Sequence, residues 1–164
     1  MNPYSKMLGK RNPLQVISAT LARIQTLIRG LSPKKLCARP KPDKWSIQEI
    51  INHLTETEMV MCCRGRWIAF EDNPTLVPFD QDKWSRGWPR EKEPVAETLE
   101  RLRVLRKSHV RFYRGVPKAE LKRTGFHPER GVVTLQEQLE TAAGHDLNHL
   151  AQIQTLAANL KAKR

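Results

Sequence analysis

At 164 residues the chain is most simply one domain, 1–164, long enough to bury a real hydrophobic core. It contains no apolar run of about 18 residues, which excludes a membrane-spanning helix, and its opening MNPYSKMLGKRNP lacks the apolar stretch of a secretory signal. A net charge of +12 favours polyanions through counterion release, yet the basic residues are spread along every segment and read mainly as a solvated surface. No zinc-finger, homeodomain or RNA-recognition signature accompanies them. The three cysteines, Cys37, Cys62 and Cys63, form no even disulfide framework, so a reducing cytoplasm is the expected setting.

Residues 1–12 read as an irregular arm. Asn12 as cap and Pro13 at the first helical position open a first helix to about Arg29. Leu14, Ile17, Leu21, Ile24 and Ile28 keep its apolar spacing. Pro33, Pro40 and Pro42 mark 32–44 as a connecting loop. Ser46 and Glu49 form a capping box for a second helix reaching Phe70, and Trp45 before the cap can staple to Ile50. His53 lies on this helix, sharing its face with Glu56, Thr57, Val60, Arg64 and Trp67. A lone histidine there is ordinarily a partly buried, hydrogen-bonded residue.

The link 71–93, EDNPTLVPFDQDKWSRGWPREKE, is long for a structureless connection and reads as a functional cover or a crossover. Its Phe79, Trp84 and Trp88, mixed with Asp80 and Asp82, suggest that it packs down over something. A third helix follows from about Pro94 to Arg114, striped by Val95, Leu99, Leu102, Leu105, His109, Phe112 and Tyr113. His109 reads as a hydrogen-bonded core residue, with metal ligation as the lesser alternative. The segment 115–133 is rich in Gly and Pro, and His127 in it reads as part of a turn.

The last helix, Thr134 to Leu160, carries the chemistry. Thr134 and Glu137 make its capping box, and Gly144 is the one weak spot in its helical run. At about 100° per residue, Leu135, Gln138, Ala142, His145, His149, Ile153 and Leu156 share one broad face. Two imidazoles one turn apart on a core-facing side need partners for a donor and an acceptor each. A divalent metal bound through one nitrogen of each ring supplies them, and i, i+4 spacing suits it. A third ligand from a facing helix is how bundles complete such sites. Four long helices without a convincing strand pattern make the expected class all-α, a four-helix bundle whose long link lets helices two and three run parallel.

Three stretches together, WSIQEIINHLTETE, VPFDQDKW and GFHPERGVVTLQEQLETAAGHDLNHLAQI, resemble the DinB-like (YfiT-related) superfamily from about Pro13 to Leu160. The resemblance implies an up-down-down-up four-helix bundle with a long crossover between helices two and three. It implies a metal triad at His53, His145 and His149, holding zinc or nickel with water completing the coordination. It also implies either a hydrolase or a thiol-dependent transferase or isomerase acting on a small-molecule substrate. Three neutral imidazoles suit zinc or nickel better than calcium or magnesium.

Three protein ligands leave positions open, as in catalytic rather than structural sites. Such a metal can activate water or hold a low-molecular-weight thiol as its thiolate. Glu56 and Asp80 are the candidate supporting groups or proton shuttles. Asp146 faces away from the other ligands and reads as a surface or supporting group. A zincin reading of His145 to His149 fails for want of a downstream ligand, since residues 150–164 hold no His, Asp or Glu. A redox pair at Cys62 and Cys63 is weak, because helix neighbours point about 100° apart. The rival from another class is a basic nucleic-acid-binding or stress-related module without catalysis, and a homodimer is also left open.

Overall fold

Helix caps divide the chain. The computed structural model describes residues 3–86 and 93–162, with helices α1 (Ser5–Leu8), α2 (Pro13–Ile28), α3 (Pro33–Leu36), α4 (Ile47–Phe70), α5 (Gln81–Arg86), α6 (Val95–Gly115) and α7 (Leu135–Ala162). Asn12 accepts from the Gln15 amide at the start of α2, with Pro13 inside the first turn. Ser46 and Glu49 close a reciprocal capping box on α4. Thr134 and Glu137 do the same for α7, at 2.9 and 3.0 Å. Each box satisfies two orphan amides and fixes where the helix begins.

The four long helices, α2, α4, α6 and α7, form a four-helix bundle. α7 packs against both α2 and α4, and α6 packs against the same two from the other side. Among the described residues no helix is long and apolar enough to cross a membrane. The core is not uniformly apolar. One cluster gathers Ile17, Met61, Val110 and Leu139, and a second gathers Ile24, Leu54, Leu102 and Leu150. Between them, Thr20, His53, Glu58, Arg106, Asp146 and His149 are buried polar residues, drawn from all four helices. This polar layer holds the candidate site.

The structure corrects four expectations. The N-terminal arm is not wholly irregular: it contains α1, whose Leu8 is buried in the first cluster. The loop 32–44 contains α3, capped by the Ser32 hydroxyl and anchored by buried Leu36. The link after α4 contains regular structure, with Thr75 bridging to Phe126 and α5 beyond it. Trp88 and the side chain of Asp82 lie outside the described residues. Lastly, the stretch before α7 holds an antiparallel hairpin, β1 (Thr124–His127) with β2 (Gly131–Thr134), paired from Thr124↔Thr134 to His127↔Gly131. Strands of four residues are too short for period-2 patterning to stand out from the surrounding turn residues. Gly131 at φ +74° supplies the left-handed turn.

Candidate metal centre

α4 and α7 cross so that three imidazoles point at one place. His53 Nε2 lies 2.9 Å from His145 Nε2, and His149 Nε2 lies 3.1 Å from the same atom. All three side chains are buried. The caps explain the register: with each helix start fixed, His53 faces the step of α7 on which the His145–His149 pair sits. Trp45, just ahead of the Ser46 cap, packs its indole against both His53 and His149, at centroid separations of 4.8 and 6.2 Å.

Hydrogen bonding among the rings cannot account for this geometry. His149 Nδ1 donates to Gln152 Oε1 at 3.0 Å, which leaves its Nε2 as a bare lone pair. His145 Nε2 carries either a proton or a lone pair, so it cannot serve both neighbours fully. A single cation accepts all three lone pairs. Nitrogens bound to one zinc at 2.0–2.1 Å stand roughly 3.3 Å apart, so the rings need open by only a few tenths of an ångström. Burial and the neighbouring His149 and His53 hold the His145 pKa well below its ordinary value. Burial likewise lowers His149, against the opposing pull of Gln152 and Asp146. Both are therefore neutral at pH 7, the form that binds metal. The donor set fits a divalent ion of the zinc or nickel type.

Two clefts adjoin the triad. One, of about 720 Å³, is lined by His145 together with Tyr4, Thr57, Arg64, Asp80 and Arg130. The other, of about 670 Å³, is lined by His149, Gln152, Trp45 and Leu156. Pro78, Phe79, Asp80 and Gln81 from the link form part of the wall of the first cleft. Asp80 also accepts from the Lys83 amide at 2.9 Å, which starts α5. Glu56 is half-buried on α4 and lines neither cleft.

Asp146 is not a surface group. It is buried, accepts from Thr20 Oγ1 at 2.7 Å, and pairs with Arg106. Arg106 Nε in turn lies 2.9 Å from Glu58 Oε1, in ion-pair contact though off the angle of a hydrogen bond. Glu58 also meets His109 Nδ1 at 2.9 Å, so His109 is the core histidine of a charged network. Glu58, Cys62 and His109 bring three potential ligand atoms together, but the Arg106 guanidinium already neutralises the carboxylate there. Burial, reinforced by Glu58, pushes the Cys62 thiol up to about 12, and all three cysteines are free. A Cys62 nucleophile is thereby disfavoured.

Sequence reasoning missed three groups at the site. His127 does open a turn, accepting from the Arg130 amide through its carbonyl and from the Glu129 amide through Nδ1, but it also ends β1, is buried, and lines the first cleft. Trp45 is a wall of the triad as well as a neighbour of the cluster holding Ile50. Tyr4, in the arm, meets the His145 ring edge-on at 5.5 Å. Trp45 was signalled by its place directly before the cap and His127 by its place in the stretch GFHPERG, whereas Tyr4 had no signal.

Comparison with known proteins agrees with this architecture. A protein of Bacillus mycoides, provisionally named a metal-dependent hydrolase, is 29% identical over 133 residues, covering 81% of this chain and 76% of that one. A Bacillus cereus protein with the same provisional name matches at 29% over the same shares. The structure of YfiT from Bacillus subtilis, provisionally described as a metal-dependent hydrolase of unusual four-helix bundle topology, superposes with a TM-score of 0.84. It does so at 21% identity, over 91% of this chain and 86% of that one. The family model described as the DinB superfamily matches residues 17–153. The chain belongs to the DinB superfamily.

Proposed function

We propose that this protein is a metal-dependent hydrolase of a small molecule, with His53, His145 and His149 as the metal ligands. The observation that carries the reading is the convergence of three buried Nε2 atoms at 2.9 and 3.1 Å. The provisional names of the relatives favour water over a thiol as the nucleophile. A zinc or nickel ion held there would supply Lewis acidity, bringing the pKa of a water to about 7 or holding a thiol cosubstrate as thiolate.

The chain's own residues do the rest. Gln152 fixes the His149 tautomer by taking its Nδ1 proton in a hydrogen bond. Trp45 shields the ligand rings from solvent on the side of the second cleft. The first cleft, bounded by His145, gives the substrate access. Asp80, on its wall, is the better placed of the two candidate carboxylates to accept the proton lost by the nucleophile. Glu56 takes no step in this scheme.

The test begins with elemental analysis of protein purified without chelators or nickel resin, where about one zinc or nickel per chain is expected. Activated ester and amide substrates are then assayed with and without a thiol. Turnover should vanish in His53→Ala and persist in Cys62→Ser and Cys63→Ser. Activity that survives loss of the histidine but dies with a cysteine overturns the scheme.

A further inference from the structure

The first cleft contains more hydrogen-bond donors than the protein itself uses. Arg64 on α4 is only 3% exposed. Its Nη2 donates to the Val77 carbonyl at 2.6 Å, and its guanidinium lies over the Phe79 ring at 5.9 Å. Its Nε is buried without a hydrogen-bond partner among the described residues. Thr57, 5% exposed, lines the same cleft, and its hydroxyl is likewise without one. Arg130 reaches the cleft from the hairpin turn. Among the described residues neither arginine makes an ion pair within 4.0 Å, although Glu129 and Asp80 also line the cavity. Burial and the charge of Arg130 lower Arg64 to about 10. Glu129 offsets part of both charges and Glu137 part of that on Arg130, yet burial still holds both guanidiniums below their ordinary values, so an anion between them would be stabilised.

We propose that Arg64 and Arg130, with the Thr57 hydroxyl, form a subsite for a carboxylate on the substrate, which orients the substrate's reacting bond toward the histidine triad. The substrate class is thus a small carboxylic acid derivative carrying a second, hydrolysable group. This assignment rests on the hydrolase reading for its catalytic meaning, but not for its binding chemistry. Guanidinium groups match a carboxylate in charge and in planar, forked geometry. His127, on the same wall, adds a further polar group. Asp80 and Glu129 argue for a monoanion over a phosphate dianion, because they repel the latter more strongly.

The experiment uses full-length protein freed of metal, so that no anion is captured by the ion. Binding of benzoate, benzamide and inorganic phosphate is measured by titration calorimetry on wild type, Arg64→Gln, Arg130→Gln and His149→Ala. Benzoate should bind about tenfold or more tightly than benzamide, the worth of a charge-assisted pair. It should lose about tenfold in either arginine variant. His149→Ala should retain benzoate binding, which separates this assignment from the metal reading. Arg64 is buried and its variant could fail to fold, but Arg130 is half-buried and tests the subsite alone. Equal binding of acid and amide, undetectable benzoate binding, tighter binding of phosphate, or full affinity in Arg130→Gln each overturns the proposal.

Discussion

Arg106 on α6 and Asp146 on α7 close a two-pronged ion pair at 2.5 and 3.2 Å, one residue along the helix from His145. Glu58 of α4 meets the same guanidinium, which also donates to the Ile17 carbonyl of α2. The pair therefore ties the four long helices at the level of the histidines. Desolvating so many charges is expensive, and the pair is weak evidence for net stability. Removing one partner is another matter, because it strands a buried charge.

Asp146→Ala is expected to lose about 3–5 kcal/mol in urea unfolding. Replacing both partners, as Arg106→Met with Asp146→Leu, should cost clearly less than the two single changes added together. A loss under about 1 kcal/mol for Asp146→Ala would show that the pair is effectively solvated.

Acid should weaken the metal-free protein in two stages. Burial alone would raise the Glu58 carboxyl, but Arg106 and His109 outweigh it and hold it below the ordinary 4.5. His145 and His149 are held below their ordinary 6.5. In each case the unfolded chain binds the proton before the folded chain does, so stability is lost as pH falls. The histidines lose theirs from about 6.5 downward, and Glu58 loses its share below about 4.5. The melting temperature should decline across both windows, and the upper decline should shrink in His145→Gln. A flat profile between pH 7.5 and 5.5 contradicts the upper stage.

Metal should stabilise the fold, because the three ligands meet only in the native chain. At free metal of about 100 times the dissociation constant the gain is about 2.7 kcal/mol. A chelator should lower the melting temperature accordingly, and His149→Ala should be insensitive to it. Identical melting of metal-loaded and verified metal-free wild type sinks the coupling.

What the sequence disclosed follows from the range of the interactions concerned. The caps at Asn12, Ser46 and Thr134 are local, and helix starts could be read from them directly. The His145–His149 pair and the inward position of His53 follow from helical periodicity, though their convergence needed a second helix or a family resemblance. Asp146 escaped because periodicity places it off the ligand face. Only the arrival of Arg106, forty residues away along the chain, makes that position a buried one. The hairpin was hidden among turn residues, and Tyr4 reaches its ring contact from an arm whose sequence shows no periodicity at all.

Tyr4 also decides the last prediction. Gly144 sits within α7, where Gly→Ala ordinarily adds about 0.5–1 kcal/mol by restricting the unfolded chain. Here a Cβ would stand 2.4 Å from Tyr4 Cβ and 2.8 Å from the Tyr4 carbonyl oxygen. The second of these is backbone and cannot rotate away. The arm must move, and overpacking of this kind costs about 1–3 kcal/mol. In the full chain Gly144→Ala should therefore lower stability and make α1 more accessible to limited proteolysis. In a chain lacking residues 1–11 the clash is gone, and the same substitution should raise stability relative to that truncated parent. The change of sign across the cycle separates the Tyr4 contact from anything intrinsic to the helix. If Gly144→Ala stabilises both chains alike, the arm does not rest on α7 beside His145.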